Sequence, residues 1–290
     1  MDNNRAIREL NSLIEDALKP SGILYRVFGR AKENNSLRKK IEKCPNKYQP
    51  SGKKIQDFLG VRVTLYFSDD VDIAVDLLKR KFDFIATDSV IDQPEGDVFS
   101  AKRFNLIFKT PESINVAYPN EHEEIIDKTF EVQFRTVLSE GWHEVEHDLR
   151  YKTKEDWNNH NDLNRALNGI FATLETSDWG IIKLFEELSY RHYKDNKVEE
   201  MLRTKFRLRL NSNISCELLK IITEDSYVFK ALFRASRPEI IKNLSFICRY
   251  VPLTYDTLVH VINYREIQSE KINELQSEIL LVHLENISNI

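Results

Sequence analysis

Cysteine is scarce in this 290-residue chain: Cys44, Cys216 and Cys248 are odd in number and far apart. No Cys or His stands beside them at zinc-like spacing, so neither a disulfide framework nor a structural zinc site is indicated. Long apolar runs are also missing. Nothing approaches the roughly 20 apolar residues that a bilayer-spanning helix needs, and Met1-Asp2-Asn3-Asn4-Arg5 leads into no apolar signal core. A cytoplasmic protein without membrane association is the expectation. Internal repeats and low-complexity tracts are absent, which argues against a repeat solenoid.

What is present is an ordinary globular composition, 41% hydrophobic and 30% charged, long enough to bury roughly three-quarters of the unfolded surface. The net charge of −4 conceals an uneven distribution. Between Lys19 and Lys54 stand eleven Lys and Arg against only Glu33 and Glu42, a local charge of +9 that leaves the remainder near −13. Such a run suits a polyanion or a nucleotide, or forms a solvated cationic helix face.

Periodicity divides the chain. Ile7, Leu10, Leu13, Ile14 and Leu18 stripe a helix over 1–19, which Pro20-Ser21-Gly22 ends. Residues 23–32 read as a strand and 36–44 as a short basic helix with Ser36 as N-cap, followed by a Pro/Gly/Lys loop over 45–54. Val61, Val63, Leu65 and Phe67 alternate with polar residues in a further strand, and Asp70 caps a helix over 71–82. Residues 92–97 are turn-rich. Residues 103–109 and 129–135 read as strands, separated by a polar loop holding Pro111 and Pro119.

From Val137 onward the pattern is helical, with stripes at Leu163, Leu167, Ile170 and Leu174, at Ile181, Leu184, Phe185 and Leu188, and at Ile272, Leu275, Ile279 and Val282. The expected fold is therefore α/β (α+β), a mixed sheet flanked by helices with a helical C-terminal region. The expected division is 1–194 and 195–290, at the polar Lys194-Asp195-Asn196-Lys197.

Chemistry concentrates in three places. Arg30, Lys32, Ser36, Lys39 and Lys40 put cations at a strand end and along a helix, where a triphosphate can be held from several sides. Asp57 precedes Gly60-Val61-Arg62 and is either a functional acid or a turn residue. In Phe130–Arg135, pleating sends Phe130, Val132 and Phe134 to one face and Glu131, Gln133 and Arg135 to the other. That second face is a working surface or the solvent side of an edge strand. Paired with Asp57, Glu131 suits magnesium, which takes one or two carboxylates plus substrate phosphates. Beyond it, Trp142 and Glu146, and His143 and His147, pair one turn apart on a helix that closes at Tyr151-Lys152.

Taken together, Arg30-x-Lys32-xxx-Ser36, Asp57-Phe-Leu-Gly60-Val-Arg62, Glu131-Val-Gln133-Phe-Arg135-Thr136 and Trp142-xxx-Glu146-His147-xxx-Tyr151-Lys152 resemble the RelA/SpoT alarmone synthetase family over roughly residues 20–155. The resemblance implies a nucleotidyltransferase-like sheet and transfer of pyrophosphate from ATP to the 3'-hydroxyl of GDP or GTP, with Mg2+ as cofactor. It places ATP on Arg30, Lys32, Ser36 and Lys39 or Lys40, metal on Asp57 and Glu131, and Arg62 on a phosphate. Gln133 and Arg135 line the pocket, and His147 and Lys152 its rim. The acceptor segment corresponds to Phe99-Ser-Ala-Lys-Arg103-Phe, where Phe99 supplies a stacking ring and Arg103 stands where the family has His. The 3'-end of tRNA is an alternative acceptor, and a non-catalytic nucleotide sensor an alternative of another class. The only His-Asp dipeptide, His147-Asp148, lies inside the synthetase-like motif, so no hydrolase domain is expected. Homo-oligomerisation is left open.

Overall fold

The computed structural model describes residues 3–44, 46–92 and 104–287. The chain forms two compact units. The first comprises residues up to Glu15, Tyr25–Val71 and Leu78–Asp178; the second comprises Asp16–Leu24, Asp72–Leu77 and residues from Trp179 onward.

In chain order the elements are α1 (Asn4–Leu18), β1 (Tyr25–Ala31), α2 (Asn34–Lys43), β2 (Leu59–Leu65), α3 (Val71–Lys81), β3 (Phe84–Ile91), β4 (Phe104–Lys109), β5 (Thr129–Thr136), α4 (Val137–Glu146) and α5 (Asn161–Lys194). Among the described residues there follow the helices α6 (Val198–Phe206), α7 (Cys216–Glu224), α8 (Ser226–Arg234), α9 (Arg237–Ile247), α10 (Tyr255–Ile262), α11 (Glu270–Asn273) and α12 (Glu278–Ile287).

Among the described residues of the first unit five strands run in the order β1-β2-β5-β4-β3, with β2 and β5 parallel and the other pairs antiparallel. The sheet is mixed, as the alternation of strands and helices implied. On one face Val61, Val63, Leu106, Phe108, Phe130, Val132 and Phe134 are buried in register. Phe108 and Phe130 lie 5.4 Å apart at 22°, and Phe82 meets Phe130 edge-on at 5.3 Å. Helix α1 covers this face at the β1 edge. A Cβ added to Gly29 would stand 2.4 Å from Asn11 Oδ1 and 2.9 Å from Ile7 Cγ2, so glycine lets the helix approach without displacing these side chains.

The second unit is helical. Its core gathers Met201, Phe206, Leu232, Ile240, Leu244, Leu258, Ile262 and Leu284, all fully buried. The Arg237 side chain donates to the Phe206 carbonyl at 3.0 Å, and Asn263 donates to Asn273 Oδ1 at 2.8 Å. Among the described residues no helix is long and apolar enough to cross a membrane.

Three details depart from the sequence reading. Helix α2 begins at Asn34 after Glu33, so Ser36 is an exposed residue of its first turn rather than the N-cap. The late apolar stripe is split between α11 and α12 instead of forming one helix. Strand β3 was not foreseen: Phe-Ile-Ala-Thr-Asp-Ser-Val-Ile is largely exposed, and its pairing with β4 is irregular between Ile85 and Val90, so no clean alternation marks it. The 34-residue α5 ends at Lys194, and the two units part within it, between Asp178 and Trp179.

Candidate active site

The face of the sheet opposite α1 carries the polar residues in ladder rows. Arg30 on β1 is level with Gly60 on β2 and Glu131 on β5. The next row is Phe28, Arg62, Gln133 and Asn105, and the third is Arg26, Thr64 and Arg135. Period-two pleating on four neighbouring strands thus brings residues far apart in sequence to one surface.

Glu131 is clamped at both oxygens. Asn105 Nδ2 donates to Oε1 and Gln133 Nε2 to Oε2, each at 2.9 Å. Two amide donors fix the carboxylate's orientation without neutralising it. Asn105 was not picked out from sequence. Its signal was only a polar residue within an apolar run, and its role depends on the register of β4 against β5.

Asp57 forms a second cluster, just ahead of β2. Lys32 donates to Oδ2 at 2.6 Å, and Lys40 to both Oδ1 and Oδ2 at 2.7 Å. The backbone assists: Lys32 N–H bonds the Phe58 carbonyl at 2.8 Å, tying the end of β1 beside Asp57. Helix α2 is anchored by buried Leu37, one turn before Lys40. Burial pushes the Asp57 carboxyl up, but the charge and hydrogen bonds of Lys32 and Lys40 outweigh it and hold the group below the usual carboxylate range. The two lysines move in opposite directions. Burial dominates at Lys32 and lowers it, whereas at Lys40 the Asp57 contacts overcome burial and raise it. Lys39 and Ser36 are exposed on α2, as is Arg30 on β1.

Arg62 is engaged by α4. Its Nη1 donates to Glu140 Oε1 at 2.5 Å and also to Glu144, one turn further on. Burial lowers the Arg62 guanidinium, but Glu140 and Glu144 outweigh it and raise its pKa. The helix is aimed by its N-terminus, where Thr136 and Ser139 form a reciprocal cap at 3.1 and 3.0 Å and Thr136 Oγ1 donates to Asp178 at 2.6 Å. Arg135 is held below its ordinary value, first by burial and then by repulsion from Arg62. His143 is pushed down to about 3 by burial, with Arg135 and Arg62 adding repulsion. Glu140 and Glu144 were missed from sequence because a pair of acids four apart on a helix usually marks a solvated face.

His147 and Lys152 stand apart from these clusters. After α4, His147 Nδ1 and Lys152 Nζ both meet Asp148 Oδ1, at 2.9 and 2.5 Å, and the His147 ring stacks on Tyr151 at 5.9 Å. Phe99 and Arg103 lie outside the described residues.

Among the described residues no three His, Cys, Asp or Glu side chains gather closely enough to hold a metal. Asp57 and Glu131 sit in separate hydrogen-bonded sets, both partly open to solvent. That donor set fits magnesium shared between a protein carboxylate and substrate phosphates. It also presents paired charges that an incoming anion and cation can exchange for their own.

Residues 29–156 match the family described as the region found in RelA / SpoT proteins. No curated protein matches the chain. Among solved structures, small alarmone synthetase 1 from Bacillus subtilis is 20% identical, with 63% of this chain and 91% of that one covered and a TM-score of 0.44. The same protein bound to its product pppGpp is 21% identical over 64% and 94%, with a TM-score of 0.46. A GTP pyrophosphokinase family protein from Streptococcus pneumoniae is 21% identical over 69% and 91%, with a TM-score of 0.45.

Proposed function

We propose, from the match of residues 29–156 to the region found in RelA / SpoT proteins, that the chain is an ATP-dependent pyrophosphokinase, moving the β,γ-pyrophosphate of ATP to the 3'-hydroxyl of GDP or GTP. The observation that carries this reading is the Asp57 carboxylate gripped by Lys32 and Lys40 beside a sheet face that presents Glu131. Phosphoryl-group transfer asks mainly for positioning and charge neutralisation, and this cluster supplies both. Asp57 and Glu131 would hold magnesium, which when bound neutralises and orients the phosphate oxygens.

The chain's own residues then do the following. Lys32 and Lys40 exchange Asp57 for the triphosphate, with Arg30 open beside them. Gln133 and Asn105 keep Glu131 in place to take the proton of the acceptor hydroxyl. The freed oxygen forms a bond to the β-phosphorus as the bond from that phosphorus to the bridging oxygen of the α-phosphate breaks, and AMP leaves with the bridging oxygen. Arg62, with Glu140 and Glu144 as resting partners, stands on the same face as Glu131, level with Gln133, where it can meet a substrate phosphate.

Incubation with γ-labelled ATP, magnesium and a panel of GDP, GTP, ATP and total tRNA tests the reading. Label in a guanine nucleotide, with matching AMP release that Asp57→Ala abolishes, is the expected result. Equal AMP release by wild type and Asp57→Ala sinks it. A tRNA 3'-end is the second acceptor to include, because exposed Arg38, Lys39 and Lys43 on α2 lie within the +9 segment. Label on RNA with none on free nucleotides selects that acceptor.

A further inference from the structure

We propose that Asp178 is a positioning residue for the transfer reaction, acting through Thr136 and α4 on Arg62; this rests on the pyrophosphokinase reading and extends its support to α5. Asp178 is the last residue of the first unit on α5 and is 8% exposed. A carboxylate so deep is usually paired with a cation. Among the described residues Asp178 has no such pair, and the partner of its carboxylate is the Thr136 hydroxyl at 2.6 Å. Burial pushes the Asp178 carboxyl up, the Thr136 bond opposes that, and Glu175 one turn earlier adds to the rise.

The chemistry of the contact states its role. A hydroxyl has one proton and two lone pairs, whereas an ionised carboxylate only accepts. Asp178 therefore takes the Thr136 proton and leaves the lone pairs of Thr136 Oγ1 to the Ser139 N–H, which donates at 3.1 Å. Without Asp178 that proton turns to Ser139 Oγ, 3.0 Å away, and competes there with the Thr136 N–H for the same oxygen. The cap so disturbed is the hinge between two parts of the site. Thr136 ends β5, which carries Glu131, Gln133 and Arg135, and opens α4, which carries Glu140 and Glu144 to Arg62. A tilt of α4 at this cap shifts both acids against Arg62, while the Asn105 and Gln133 clamp on Glu131 stays within the sheet. Further along, Trp142 Nε1 donates to the Leu167 carbonyl at 3.1 Å and its ring meets Phe171 at 4.6 Å. Leu167, Phe171 and Asp178 recur at helical spacing, so one face of α5 seats α4 and Asp178 fixes the end nearest the strand.

The test is a set of double-mutant cycles on the full chain, read as initial rates of AMP release from ATP and magnesium with GDP, GTP and total tRNA as acceptors. Asp178→Ala is expected to lower the rate roughly tenfold, and Thr136→Val to give the same loss. Asp178→Asn, whose amide oxygen still accepts the Thr136 proton, recovers most of it. Added to Arg62→Gln, Asp178→Ala costs little more, because the group it positions is already gone; added to Asn105→Ala, the two losses multiply. Thr136→Val carries the same cycles where Asp178→Ala does not fold. Losses that multiply in both cycles, or an unchanged rate in the single mutants, overturn the positioning role and leave the pyrophosphokinase reading in place. Wild-type protein that releases AMP with none of the acceptors overturns that reading, and the role of Asp178 with it.

Discussion

Lys40 and Asp57 are joined twice, one ammonium donating to both carboxylate oxygens at 2.7 Å. Seventeen residues separate them, and the contact exists only because α2 lies against the segment that leads into β2. Lys32 completes the cluster from the end of β1. Under the proposed function the acid would trade its two half-buried ammoniums for a metal ion, and they would trade it for phosphate.

Removing that acid leaves two cations facing each other with no counter-charge. Asp57→Ala is expected to cost about 2 kcal/mol of stability at pH 7, less than for a fully buried pair because water still reaches the cluster. The folded carboxyl is held below its unfolded value, so this contribution is full above about pH 4 and fades as pH falls through the folded pKa. Urea unfolding at pH 7 and pH 3 reads it out: the gap between wild type and mutant narrows at the lower pH. A gap of constant size refutes the assignment.

Asn105 and Gln133 hold the two oxygens of Glu131. Asn105→Ala is expected to lower kcat roughly tenfold, with KM for ATP and thermal stability little changed. Adding Gln133→Ala should cost more than the two single losses combined, because the second amide alone still orients the carboxylate. Initial rates of labelled pyrophosphate transfer decide the matter, and an unaltered kcat in the single mutant counts against the clamp.

His143 stays neutral in the fold down to about pH 3, through burial and then the repulsion of Arg135 and Arg62. Unfolded, the same side chain takes up a proton below about pH 6.5. The folded state therefore carries its full share of stability above pH 6.5 and loses up to about 1.4 kcal/mol per unit as pH drops toward 3. His143→Gln should flatten the fall of the unfolding midpoint between pH 6 and 4. Parallel curves for the two proteins are the contrary result.

At Gly29 the predicted effect is steric. Gly29→Ala brings a methyl to 2.4 Å from Asn11 Oδ1, and overpacking of this kind costs about 1–3 kcal/mol. The contact atom is a side-chain end, so Asn11→Ala in the same chain should recover part of the loss. Thermal unfolding followed by circular dichroism compares the two. No recovery in the double mutant places the strain at Ile7 instead.

Much of the first unit was legible before any coordinates. Alternation in residues 130–135 implied one packed and one working face, and the structure buries Phe130, Val132 and Phe134 while Glu131, Gln133 and Arg135 stay partly open. The helical stripes after Val137 were equally plain. Strand β3 was not, because an edge strand with an irregular ladder buries too little on either side to leave a period. Ser36 was read as a cap from residue type alone, whereas helix entry at Asn34 reflects a chain already extended at Glu33.

The sequence by itself determined which residues alternate, which helices are amphipathic, and that cations crowd Arg30 to Lys40 while Asp57 and Glu131 stand at or near strands, since periodicity and charge are local properties. Only the tertiary structure decided the pairings. It set Lys40 rather than Lys39 on Asp57, Asn105 on Glu131, and Glu140 with Glu144 on Arg62. Each of these joins groups that are distant along the chain, and the strand register and helix placement that bring them within bonding distance come from burial of the apolar face on the other side of the sheet.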